Sequence, residues 1–187
     1  MTVTIDLLDP ATRPKMPKID GVTPAQLRQG RHLAAIHEMH LRQMAHVRRV
    51  MEQVAEGEAK LAALDTALSD LDMRHNYRVF GSVCGQECGM LTGHHSIEDR
   101  YLFPALAAQD NPFLRKVVER LVAEHEIVHA YIEQMEEAAT ALMNAPGPAT
   151  FAGLREAFET LEKFVVSHFG YEQDELAEAL GYYEIDI

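Results

Sequence analysis

Residues 94–98 read His-His-Ser-Ile-Glu, residues 125–129 read His-Glu-Ile-Val-His, and residues 168–172 read His-Phe-Gly-Tyr-Glu. In each stretch two metal-binding side chains stand four positions apart, and four residues along an α-helix return a side chain to the same face one turn on. A fourth stretch, His37-Glu38-Met39-His40, adds two more imidazoles. Taken together, five imidazoles (His40, His94, His125, His129, His168) and two carboxylates (Glu98, Glu172) form a ligand set for two metal ions delivered from four helices.

The flanking residues support helices. Thr23-Pro24 is a helix start, with Thr as N-cap and Pro at the first position. From there Leu33, Ile36, His40, Met44, Val47, Met51 and Val54 keep a 3.6-residue period as far as Gly57. This predicts a first helix over 24–56. Leu61, Leu64, Leu68 and Leu71 mark a short extra helix, and a second long helix is expected over 77–108. Asn111-Pro112 opens a third, to about Met143, and Asn-Ala-Pro-Gly-Pro at 144–148 breaks the chain. The fourth runs over 149–180, stopped by Gly181. No segment alternates as a strand does. The expected fold is all-α: an antiparallel up-down-up-down four-helix bundle over residues 23–187, preceded by an irregular arm at 1–22 that holds Pro10, Pro14 and Pro17.

A depth count tests whether the ligands meet. Glu98 and His94 lie 10 and 14 residues before Ala108, while His125 and His129 lie 13 and 17 after Pro112. A short turn makes these helices antiparallel neighbours, so both pairs stand roughly 15 to 25 Å from it at 1.5 Å per residue. The third and fourth helices match to within about one turn. With the first helix ending near Gly57, His40 reaches the same level once residues 57–77 are taken as an insertion.

Composition narrows the partners. The 187 residues carry 17 Lys and Arg against 29 Asp and Glu, a net charge of −12 that repels phosphate backbones, so nucleic acid is not an expected partner. No membrane span or leader is apparent, and a soluble, cytoplasmic protein is expected. The two cysteines, Cys84 and Cys88, make no disulfide framework. One turn apart, they read as small apolar residues in a packed helix interface, with a redox pair as the sharper alternative.

Imidazole and carboxylate without thiolate suit iron, manganese or zinc. Ferritin-like bundles use Glu from two helices and Glu-x-x-His from the other two; here only Glu126 to His129 has that form. A His-rich set leaves a ferric pair with more net positive charge, which favours dioxygen, peroxide or nitric oxide chemistry over iron storage.

The strings at 94–99, 124–129 and 168–172 resemble the haemerythrin-like, or HHE cation-binding, family over roughly residues 30 to 180. The resemblance implies two iron ions with an oxo or hydroxo bridge. It places His125, His129 and His168 on one iron, His40 and His94 on the other, and Glu98 and Glu172 between them. His37 competes with His40 for the first-helix role; His40 is favoured because it leads the string His-Leu-Arg. By helical offset, His95 stands 100° from His94 and is expected behind the ligands or at the surface, while Tyr101, seven after His94, shares its face as a core tyrosine or one lining the pocket. The family's oxygen carriers have Asp five residues after the last His, where this chain has Gln173, which argues against reversible oxygen carriage.

Two functions follow from the resemblance. One is binding or sensing of dioxygen, nitric oxide or a related small molecule, with a partner protein if the role is signalling. The other is a di-iron oxidoreductase, catalase- or peroxidase-like or nitric oxide-consuming. Sequence alone leaves open whether the chain is an enzyme.

Overall fold

A computed structural model describes residues 9–62 and 67–186. Every regular element among them is helical: α1 (Pro24–Gly30), α2 (His32–Ala62), α3 (Ala67–Ile97), a π-helical turn (Glu98–Leu102), α4 (Phe103–Ala107), α5 (Pro112–Asn144) and α6 (Pro148–Tyr182). No described helix is long and apolar enough to cross a membrane.

Local chemistry explains most boundaries. Thr23 caps α1 through a reciprocal capping box with Gln26, and Pro24 needs no hydrogen-bond donor at the first position. Asn111 Oδ1 accepts from the Phe113 and Leu114 amides at 3.0 and 3.1 Å, which starts α5. Helix α6 passes through Gly181 to Tyr182, and the left-handed residue is Glu184 at φ 52°. The first expected helix is two, because the chain leaves helical geometry at Arg31. A separate helix at Leu61–Leu71 is not distinguished: α2 reaches Ala62, α3 begins at Ala67, and residues 63–66 lie outside the described residues, as does the packing of those leucines.

The chain divides into two compact units. Unit 1 comprises 1–39, 93–129 and 163–187; unit 2 comprises 40–92 and 130–162. In unit 1, Leu33 of α2, Leu102 and Phe103 at the π turn, Leu114 and Leu121 of α5, and Leu176 of α6 join one buried core. Two glycines let backbones touch there. A Cβ at Gly30 would lie 1.9 Å from the Ala177 carbonyl oxygen, and one at Gly181 would lie 2.0 Å from that of Gln26. In unit 2, Phe80 and Tyr77 of α3 pack on Phe151 of α6 at ring separations of 5.4 and 5.3 Å, and Arg48 pairs with Glu162.

The arm at 9–22 is tied to unit 1. Glu175 accepts from Lys15 Nζ and the Met16 amide, Glu178 from the Ile19 amide, and Pro14 O from the Tyr171 hydroxyl.

Candidate metal centre

Glu98 opens the π turn, where the Phe103 amide bonds back to the Glu98 carbonyl five residues away. The wide turn adds a residue to the helical register, so side chains beyond it rotate relative to those before it. Tyr101, expected on the His94 face, is consequently 71% exposed and points to solvent. Glu98 itself is turned inward and buried.

Around Glu98 the donors converge in unit 1. Its Oε1 lies 3.2 Å from His94 Nε2 and 3.7 Å from His37 Nε2, while Oε2 lies 3.5 Å from His125 Nε2. Glu172 Oε2 lies 3.4 Å from His37 Nε2 and 3.7 Å from His168 Nε2. Each carboxylate thus straddles two groups of imidazoles. Three sets of donor atoms fall within 4.8 Å of one another: His37, His94 and Glu98; Glu98, His125 and Glu172; and His95, His125 and His168.

Of the residues singled out in the sequence, His94, Glu98, His125, His168 and Glu172 are brought together. His129 stands beside them, its ring stacked on His95 at 5.3 Å, though it joins none of the three sets. On α2 it is His37 that enters the cluster. His40 lies in unit 2, with Nδ1 3.9 Å from Glu87 Oε1, and is not in these sets. The depth count for His40 rested on a helix ending near Gly57, whereas α2 continues to Ala62. His37 and His40, three residues apart, share a helical face, so periodicity does not separate them. His95, expected behind the ligands, is fully buried within the cluster, stacked on His125 at 4.1 Å. His32, His46 and His75 are exposed.

The imidazoles are oriented from behind. Asp99 Oδ1 lies 2.8 Å from His125 Nδ1 and Glu124 Oε2 lies 3.1 Å from His168 Nδ1. A carboxylate only accepts, so each Nδ1 carries the proton and each Nε2 turns a lone pair inward. Gln173, at the position where the resemblance led one to seek Asp, places its side-chain Nε2 2.9 Å from His37 Nδ1. An amide flip exchanges its oxygen and nitrogen. With the oxygen toward Nδ1–H, the His37 Nε2 lone pair faces both carboxylates. Phe169 stacks on the His37 ring at 3.9 Å and fixes its plane.

Among the described residues, Nε2 of His125, His129 and His168, both nitrogens of His95, and the oxygens of Glu98 and Glu172 are buried without hydrogen-bond partners. Leaving so many polar atoms unsatisfied is costly. Burial, and then the charge of Glu172, push the Glu98 carboxyl far above the ordinary range; burial does the same to Glu172. Burial and neighbouring imidazoles lower His95 and His168 well below 6.5. Inward lone pairs and clustered carboxylates are the environment that a multivalent cation satisfies, and the donors are all nitrogen and oxygen. Among the described residues, neither Cys84 nor Cys88 joins any of the three donor sets.

No curated protein and no solved structure matches the chain. The family model for the hemerythrin HHE cation binding domain matches residues 30–180, a span that includes every donor of the three sets. With that match covering most of its length, the chain belongs to the hemerythrin HHE cation-binding family.

Proposed function

We propose that this chain is a non-haem di-iron protein that binds or senses dioxygen, nitric oxide or a related small molecule. In this reading α2, α3, α5 and α6 run alternately up and down, as the short links between α4 and α5 and between α5 and α6 favour. His37 and His94 hold one iron, His95, His125 and His168 the other, and Glu98 and Glu172 are shared, with His129 in reserve beside His95.

The carrying observation is the division of Glu98, one oxygen toward His37 and His94 and the other toward His125. Iron in such a set supplies electrons and exchangeable coordination for small oxidants. The protein's own contribution is to orient imidazoles through Asp99, Glu124 and Gln173 and to exclude bulk. The His37, His95 and His168 side chains are fully buried, which shields their nitrogens from bulk solvent and large solutes.

The test is anaerobic reduction of the iron-loaded protein followed by mixing with dioxygen or nitric oxide, watched by absorption. Stoichiometric spectral change without steady consumption supports binding or sensing. Sustained turnover of peroxide or nitric oxide assigns the chain to the second reading, a redox enzyme. No response to any of the three refutes both.

A further inference from the structure

Arg13 lies outside the matched family span, in the irregular arm, yet its side chain is 4% exposed. Its Nε and Nη2 donate to the two oxygens of Glu124 at 2.8 and 2.9 Å, a fork-to-fork pair. Nη1 donates to the Ser167 carbonyl and hydroxyl oxygens at 3.2 and 3.1 Å, and the guanidinium sits 4.7 Å above the Tyr171 ring. Glu124, Ser167 and Tyr171 each immediately precede a member of the cluster: His125, His168 and Glu172. One arm residue therefore grips the neighbours of three candidate ligands on two helices.

We propose that Arg13 is a positioning residue for the metal centre, fixing Glu124 so that His168 keeps its proton on Nδ1 and turns Nε2 inward. This rests on the metal-site reading above.

The geometry favours orientation over simple anchoring of the arm. Glu124 has no exposure and two tasks: among the described residues Oε1 meets the guanidinium alone, while Oε2 takes Nη2 on one side and His168 Nδ1 on the other. A planar fork fixes the plane of a carboxylate, which a lysine ammonium does not. Without the fork, Glu124 is free to rotate and the Nδ1 proton loses its fixed acceptor. The Lys15–Glu175 pair also ties the arm down, meets no imidazole among the described residues, and its lysine is 66% exposed. It serves as the control.

The experiment compares the full-length chain with Arg13→Gln, Arg13→Lys and Lys15→Ala. In the metal-free proteins, the His168 tautomer is read from long-range nitrogen-proton correlations. In the iron-loaded proteins, the rate of ferrous iron loss to a chelator is measured. The expected result is a single Nδ1–H tautomer in the parent and Lys15→Ala, and mixed tautomers in both Arg13 variants. Iron loss from the Arg13 variants should be about 10- to 100-fold faster, as when outer partners of metal-binding histidines are removed. An unchanged tautomer and iron-loss rate in Arg13→Lys, or in a folded Arg13→Gln, would overturn the proposal even if melting temperature falls. The tautomer readout needs no metal, so failure of the parent to bind iron at all would refute the metal reading separately.

Discussion

Gln173 lies one residue beyond Glu172, and its side-chain amide meets His37 Nδ1 at 2.9 Å while His37 Nε2 stands 3.4 Å from Glu172 itself. Consecutive residues of α6 thus meet the two nitrogens of one imidazole on α2. In the proposed centre Glu172 is the shared carboxylate and Gln173 stands behind the His37 ring. The α2 ligand of that centre is therefore His37, the α2 imidazole that falls in a donor set, rather than His40.

His37→Ala should accordingly lower the iron content of the chain by about half, through loss of one of the two metal positions. His40→Ala should leave iron content unchanged. Elemental analysis after desalting decides between them, and the reverse pattern would return the role to His40.

Metal loading should release protons. Burial raises the Glu172 carboxyl above its ordinary range, and burial together with the charge of Glu172 raises Glu98, so the pair retains protons for a cation to displace. Stability of the metal-free form should follow. Above pH 6.5 the unfolded histidines are largely neutral, whereas the folded carboxyls retain protons that the unfolded chain has lost. Raising pH therefore favours unfolding. The apo melting temperature should fall between pH 6.5 and 8 while that of the iron-loaded form does not. Proton release is read in a weakly buffered indicator solution, and a melting temperature of the apo form that rises over this interval would contradict the assignment.

The close approaches at Gly30 and Gly181 make a packing prediction. Gly30→Ala or Gly181→Ala must push backbone away from backbone and should cost roughly 1–3 kcal/mol, as overpacking does. Gly153, inside α6 with nothing within 4 Å of an added Cβ, should tolerate Ala and gain roughly 0.5–1 kcal/mol from helix propensity. Chemical denaturation of the three variants provides the comparison.

Much of this was legible from residues. Pro24, Asn111-Pro112 and the 144–148 break mark helix starts through local chemistry alone, and the four-residue spacings point to most of the donors. What was not legible depends on distant contacts. The break at Arg31 lies beside a glycine pressed on Ala177, and the π turn has no sequence signal that periodicity detects, so Tyr101 was placed on the wrong face. His95 looked peripheral because a one-residue step is 100° of rotation, yet His94 and His95 each fall in one of the donor sets. Arg13 reaches Glu124 across 111 positions from a segment without periodicity. Its chemical type, a lone arginine among prolines, carries no hint of that partner.

Cys84 and Cys88 are both fully buried, and burial raises both thiols, Cys88 to about 12. Neither should be nucleophilic in the folded protein. A thiol reagent should modify them only at the rate of unfolding and fully in denaturant. Rapid labelling of the native protein would show an accessible thiol and revive a redox role.

The central claim is a pair of irons sharing Glu98 and Glu172. Anomalous diffraction at the iron edge, on crystals of the iron-loaded chain, tests it most directly. The expected result is two iron positions, one bonded to His37 and His94, the other to His95, His125 and His168, each also touching both carboxylates. A single iron, or iron with no bond to α6, would contradict it.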